Sequence, residues 1–276
     1  MLAKETDRPF SAGNWIFEMK WDGFRAIAEL KGKKVRLYSR NGTLFNKTYP
    51  LLVKALADLH LNAVVDGEII ITDEEGRSDF QRLQNYGNNK NGHLEFRVFD
   101  LLYNGSKNIC DEPLLQRKKQ LKQLIGKGNA VVKYSDHIAV EGEAFFEAAR
   151  EKDLEGIIAK EVDSRYVPGQ RSASWLKIKN HKSTEAVIAG FTAPGGSRRH
   201  FESLILGAWD GAELRYIGHT GTGFDDKKLA DIAGTLNRMV VKQSPFKNEV
   251  KTNTPATWVK PRLVAELKYT EWTSGG

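Results

Sequence analysis

The sequence contains one cysteine, Cys110. That excludes an internal disulfide framework and a multi-cysteine zinc site, and it suits a reducing compartment. No stretch approaches the roughly 18 to 20 consecutive apolar residues of a membrane span. The opening residues, MLAKETDRPF, lack the apolar core of a signal peptide. None of the six histidines shows metal-ligand spacing, and neither a repeat nor a low-complexity tract is visible. A cytoplasmic protein that makes no use of a membrane is expected.

What remains is ample for two compact domains: 276 residues, 40% hydrophobic and 28% charged. A formal net charge of +7 favours a polyanionic partner.

One short stretch raises a chemical question. In FEMKWDGFRA, residues 17–26, Lys20 lies inside an apolar and aromatic run. A buried ammonium is costly unless it is paired or its pKa falls. Lys20 is therefore either an ion-pairing residue, with Glu18 on the same strand face as the obvious partner, or a nucleophile. Trp15, Phe17, Met19 and Trp21 alternate with Ile16, Glu18 and Lys20, the period of a strand. Asp22-Gly23 then reads as a hairpin turn, with Arg25 starting the paired strand.

Further along, YPLLVKALADL reads as a helix with Pro50 in its first turn. AVVDGEIIIT reads as a β-run interrupted at Asp66-Gly67, so that Glu68 follows a tight turn. LEFRVFDLLY, EGIIAK and SWLKIKN are strands. EPLLQRKKQLKQLIG and GEAFFEAAREK are helices, and in the first of these Arg117, Lys118, Lys119 and Lys122 read as a solvated face. The polar stretch NHKSTEA marks a boundary, which places a first domain at 1–182 and a second at 183–276. The second has five or so short strands around one helix, DDKKLADIAGTLNRMV, which points to a small barrel of the oligonucleotide-binding (OB) kind. The fold class is α+β.

Several strand positions carry chemistry. Arg40 ends a strand before the Asn41-Gly42 turn, suited to phosphate contact. Glu68 and Glu155 precede apolar strands, and Lys177 and Lys179 share one strand face. Each alone reads equally as a surface charge. Together they supply an amine, two carboxylates, two arginines and a lysine pair, the inventory for nucleotidyl transfer. That chemistry needs carboxylates for a divalent metal and cations for the phosphates. Phe99 is either a core residue or a ring for stacking on a base.

KWDGFR, SRNG, DGE, FRVFD, EGIIAK and WLKIK occur in the order of the motifs of covalent nucleotidyltransferases, the superfamily of ATP-dependent DNA ligases, RNA ligases and capping enzymes. MLAKETDRPF, GHTGTGF and WVKPRLVAELKYTEWT resemble one branch, the ligase module of bacterial end-joining ligase D proteins. The resemblance covers nearly the whole chain. It implies a nucleotidyltransferase domain of antiparallel sheets with flanking helices, followed by an OB-fold domain. It implies that Lys20 attacks the α-phosphate of ATP and carries AMP, with Asp22 and Arg25 orienting nucleotide and DNA 5′-phosphate. Arg40 would contact phosphate, Glu68 would hold the ribose and Phe99 would stack on adenine. Glu155, with Glu68, would bind Mg2+ or Mn2+, and Lys177 and Lys179 would touch the α-phosphate. Glu18 would sit near the adenine and Lys160 would face phosphate.

Nicked or broken double-stranded DNA is the partner implied, with Lys182, Arg198, Arg199 and His200 as candidate backbone contacts. A Ku-type end-binding protein and fused polymerase or nuclease modules are further implied partners; the chain itself is expected to be a monomer. RNA ligation, capping and a non-catalytic nucleic-acid-binding module are the competing functions. The family usually continues past EWT with a basic Arg-x-Pro-x-Phe motif that orients pyrophosphate. That motif does not follow Glu271-Trp272-Thr273 here. An excised domain, charged slowly by ATP but able to seal once adenylylated, is the expectation.

Overall fold

The computed structural model describes residues 1–87, 92–195 and 199–269. The chain divides into two units, Met1–Asn180 and His181–Gly276. In the first unit the order is β1 (Leu2–Glu5), β2 (Ala12–Met19), β3 (Phe24–Lys31), β4 (Lys34–Ser39), α1 (Pro50–Ala57), β5 (Asn62–Thr72), α2 (Phe80–Gln84), β6 (His93–Asn104) and β7 (Lys107–Asn108). It continues with α3 (Leu114–Ile125), β8 (Val132–Tyr134), β9 (His137–Val140), α4 (Gly142–Glu151), β10 (Gly156–Glu161) and β11 (Arg171–Lys179). The second unit holds β12 (Lys182–Thr192), β13 (Leu204–Asp210), β14 (Glu213–Thr220), α5 (Asp226–Asn237), β15 (Val240–Val241) and β16 (Ala256–Tyr269).

The first unit is built on two sheets, ordered β1-β11-β10-β2-β9 and β4-β3-β5-β6-β7, with β8 beside β6. Pairing is antiparallel except for β1 with β11 and β6 with β8. Ile16 and Phe17 on β2 are both essentially without exposure, because each face of the first sheet is covered. Phe17 packs with Phe146 and Ala149 of α4, while Ile16 joins Leu102, Leu114 and Trp175 in the cluster shared with the second sheet. A strand covered on both sides reads as a continuous apolar run, which is also why Ile69, Ile70 and Ile71 of β5 are all fully buried.

Two turn expectations are corrected. Asp22-Gly23 closes no hairpin: β2 pairs with β10 and β9, whereas β3 pairs with β4 and β5. Residues 20–23 instead carry the chain from one sheet to the other. Asp66-Gly67 is no turn either; it runs within the unbroken β5, opposite a bulge in β6 that leaves Phe99 unpaired. A Cβ at Gly67 would lie 2.7 Å from the Phe96 ring, so this position is selected by crowding and not by chain reversal.

Three of the helices open on recognisable start signals. Pro50 stands in the first turn of α1. Asp79 and Asp225 accept the Arg82 and Lys228 amides at 2.9 and 2.8 Å to open α2 and α5. In the second unit the strands follow the order β14-β13-β12-β16-β15, and α5 packs Leu229, Ala233 and Leu236 on them.

The solvated face assigned to α3 is half wrong. Arg117 and Lys118 are 0% and 1% exposed, and only Lys119 and Lys122 face solvent. Arg117 donates Nε and Nη2 to Asp100 at 2.8 and 2.9 Å, and Nη1 to the Ser164 carbonyl at 2.9 Å. Removing one partner of a buried pair strands the other charge. Arg117→Met should therefore lower unfolding free energy by about 3–5 kcal/mol in denaturant titration, with Arg117→Lys recovering only part.

Candidate active site

Lys20 stands where β2 ends and the crossing begins. Its N–H donates to the Gly156 carbonyl at 3.0 Å, and its ammonium donates to Oε1 of Glu155, just before β10. Two glycines permit this geometry by close approach. A Cβ on Gly23 would fall 2.1 Å from the Ile69 carbonyl oxygen, and one on Gly156 would fall 2.1 Å from that of Ile178. Gly156 also has φ +136°, which disfavours any side chain.

Three carboxyls surround this ammonium electrostatically. Burial pushes Glu155 up, against the pull of Lys20. It pushes Asp22 up as well, against Lys20 and Lys179. Glu68 retains some exposure, yet protein encloses its carboxyl enough for desolvation to push it to about 8, despite Lys20 and Arg25. Oε2 of Glu155 is buried with no hydrogen-bond partner. An orphaned carboxylate oxygen among carboxyls short of positive charge fits a divalent cation. Among the described residues no three His, Cys, Asp or Glu groups converge on one point. A cation on Glu155 and Glu68 would thus take its other ligands from water or phosphate oxygens, as Mg2+ commonly does.

The second sheet presents a charged row. Arg25 of β3 lies opposite Glu68 of β5, Glu68 opposite Arg97 of β6, and Arg97 beside Lys133 of β8. Facing residues of paired strands share a side, so these four stand away from the core formed by Ile69 and Phe96. Arg25 makes a two-pronged contact with Asp66 at 3.0 and 2.6 Å, and the Tyr166 hydroxyl donates to the same carboxylate at 2.7 Å. Burial alone would lower the Arg25 pKa, but Asp66 raises it, so the guanidinium stays charged. Phe99 is the residue skipped in register between Val98–Gly67 and Asp100–Asp66. Its ring has the Lys160 ammonium at 4.3 Å and the Arg25 guanidinium at 5.4 Å.

Glu18 does not pair with Lys20. It is 2% exposed and bonded to Lys118 at 2.8 Å and Lys160 at 3.0 Å. Burial works to raise its pKa, and the two ammonium groups more than offset it, leaving it lowered. Lys160 is likewise 2% exposed, its ammonium 4.2 Å from the Trp175 ring centre, and burial lowers it to about 8. Lys177 and Lys179 meet Glu5 of β1 at 2.8 and 3.8 Å. Arg40 is exposed and lines a cleft of about 430 Å³ with Arg25, Phe45 and Glu68.

The chain is matched by known families and proteins. The model of the ATP dependent DNA ligase domain matches residues 1–179, and that of the ATP dependent DNA ligase C terminal region matches 197–276. The chain belongs to the ATP-dependent DNA ligase family. It is 35% identical to the multifunctional non-homologous end joining protein LigD of Pseudomonas aeruginosa, over 100% of this chain and 34% of that protein. It is 36% identical to LigD of Mycobacterium tuberculosis, over 96% and 35%. The chain thus spans about a third of the length of these curated relatives. A solved mycobacterial DNA ligase D complexed with ATP and MES superposes with TM-score 0.61 at 33% identity, covering 100% of this chain and 90% of that one. The folds correspond: antiparallel sheets with few helices, then an OB-type barrel.

Within this ligase-family chain the expected residues fall into three groups. Lys20, Asp22, Glu68 and Glu155 are electrostatically coupled, with Arg25 linked to Glu68 and Lys179 to Asp22 and Glu155. Glu18 and Lys160 are buried together, and the Lys160 ammonium, expected to face phosphate, meets Glu18 and ring faces here. Lys182 and the exposed Arg199 and His200 belong to the second unit; Arg198 lies outside the described residues.

Several residues were not anticipated: Glu5, Asp66, Lys118 and Tyr166. For Lys118 a signal existed. It stands four after Leu114 and three before Leu121, on the apolar stripe of α3, where a solvated lysine does not belong. Tyr166 and Glu5 had none, since their partners lie 100 or more residues away.

A carboxyl whose pKa is raised in the fold stays protonated while the unfolded chain has already ionised. Between about pH 4.5 and 8 the unfolded chain then binds fewer protons, so stability falls as pH rises. Glu68→Gln should flatten the decline of Tm across that window and raise Tm near pH 8, leaving the smaller slope from Glu155 and Asp22. Melting curves of both proteins from pH 5 to 8.5 check this.

Proposed function

We propose that this chain is an ATP-dependent DNA ligase module that seals nicks or double-strand breaks through a lysyl-AMP, in the manner of the end-joining LigD proteins. The observation that carries the reading is the Lys20 ammonium hydrogen-bonded to Glu155, whose second oxygen is buried and unpartnered, beside a Glu68 pushed to about 8. The nucleotidyltransferase domain is 1–182 and the OB domain 183–276.

In the first step the Lys20 amine attacks the α-phosphorus of ATP. A P–N bond forms, the bond to pyrophosphate breaks, and the Lys20 proton passes to Glu155, already within hydrogen-bond reach and made more basic by burial. Phe99, the extra residue of the β6 bulge, stacks on the adenine. Glu68 holds the ribose. Lys177 and Lys179 leave the exposed carboxylate of Glu5 for the oxygens of the α-phosphate. Arg40 and Arg25 face the cleft where the DNA 5′-phosphate takes over AMP before the 3′-hydroxyl expels it. Mg2+ or Mn2+ held by Glu155 and Glu68 would offset phosphate charge.

The relatives named for non-homologous end joining support double-strand-break repair as the setting, and a Ku-type protein and fused polymerase or nuclease modules as partners. No helix among the described residues is long and apolar enough to cross a membrane; a cytoplasmic, nucleoid-associated location is part of the proposal.

Intact-mass measurement with ATP and Mg2+ should show one added AMP on the wild-type chain and none on Lys20→Ala. Glu155→Gln should form the adduct at least about a hundredfold more slowly. An adduct that survives Lys20→Ala would remove the assignment.

A further inference from the structure

Trp21 follows the nucleophile directly and is the middle of the crossing between sheets. The residues on either side are tied by their backbones: Lys20 N–H to Gly156 at 3.0 Å and Asp22 N–H to the Ser78 hydroxyl at 3.2 Å. The Trp21 side chain has no polar tether among the described residues, for its indole N–H is buried without a hydrogen-bond partner. What its ring does meet is Arg97, with the guanidinium carbon 4.5 Å from the ring centre. Arg97 is held in turn. Its Nη2 lies 2.5 Å from Oε2 of Glu95, two residues earlier on β6, and Lys133 of β8 holds the other oxygen of that nearly buried carboxylate. Among the described residues Nε of Arg97 is buried and unpartnered, so Glu95 is the one carboxylate that holds the guanidinium while its face meets the ring.

We propose that Arg97 is a positioning residue for the ligase reaction, fixing the direction in which Lys20 points by clamping the indole of Trp21. The inference rests on Lys20 being the nucleophile. Between the two tethered amides the Trp21 residue is held through its ring, so losing that hold frees the short crossing segment to relax, and the Cα–Cβ direction of Lys20 turns with it. Misplacement of an attacking group by about 1 Å costs on the order of a hundredfold in rate. Glu95 and Lys133 hold the guanidinium over the ring. Arg97 lies opposite Glu68 in register, but among the described residues no hydrogen bond or ion pair joins the two, so the effect belongs in the bond-forming step and not in nucleotide affinity.

The test is single-turnover adenylylation by ATP and Mg2+, followed by intact mass, for wild type, Arg97→Met, Trp21→Leu, the double variant and Arg97→Lys. Arg97→Met should slow the step at saturating ATP by about ten- to a hundredfold, with the half-saturating ATP concentration within about twofold of wild type. In the Trp21→Leu background the same change should cost less than about twofold more, because the two residues act as one unit. Arg97→Lys, which keeps a cation for the ring, should recover part of the rate and serves if Arg97→Met fails to fold. An unchanged rate, a loss confined to ATP affinity, or a full loss in the Trp21→Leu background would each overturn the proposal.

A second readout separates this from the ligase reading. Labelling of Lys20 by an amine-directed reagent, located by peptide mass, should change with Arg97→Met only when Trp21 is present. Absence of any AMP adduct on the wild type would defeat the ligase reading, and that labelling pattern would still uphold the clamp. Identical labelling in all variants would defeat the clamp.

Discussion

Glu18 is a carboxylate with almost no access to water, and such a group persists in a core only if its charge is met. Two lysines meet it, Lys118 from α3 and Lys160 from β10. Lys118 also donates to the Phe99 and Ser135 carbonyls, so one ammonium ties the last turn of β2 to the bulged part of β6 and to the segment after β8. The register of β2, and with it the point where Lys20 leaves the first sheet, depends on this arrangement. So does the face of β6 on which Phe99 stands. Replacing Glu18 would leave two buried ammonium groups without their carboxylate, which is why the network holds strand, helix and bulge together.

Around that fixed point the site is short of positive charge. Asp22, Glu68 and Glu155 are all pushed toward protonation by burial, although Lys20 stands among them. Elsewhere in the same unit acids are satisfied: Asp66 by Arg25 and Tyr166, Asp100 by Arg117. The contrast has a physical meaning. Asp66 and Asp100 are given hydrogen-bond partners, whereas Glu155 beside Lys20 keeps a buried oxygen without one, and such unmet demand draws cations and phosphate-bound metals into a cleft.

Glycine is the local device that makes the cluster compact. Gly23 lets the crossing pass against β5, and Gly156 lets β10 begin against β11, each at a distance no side chain permits. Lys20 and Glu155 meet because both neighbours lack a Cβ. The same pattern explains why Asp-Gly misleads as a turn signal here: at 22–23 and 66–67 the glycine serves close approach, and the chain does not reverse.

Much was legible in the sequence alone. The strand and helix periods follow from local geometry, the boundary near residue 180 follows from composition, and the ordered short motifs single out Lys20, Glu68 and Glu155, because each carries its chemistry within four to six residues. What only the tertiary structure decided are partnerships across long separations. Glu18 found Lys118 a hundred residues on, Tyr166 found Asp66, and Glu5 found the lysine pair of β11. Whether a lysine on a helix is solvated or buried is settled by what packs over it, and whether an Asp-Gly turns or crosses is settled by which sheet receives the next strand. Local pattern sets the alternatives; desolvation and long-range pairing choose among them.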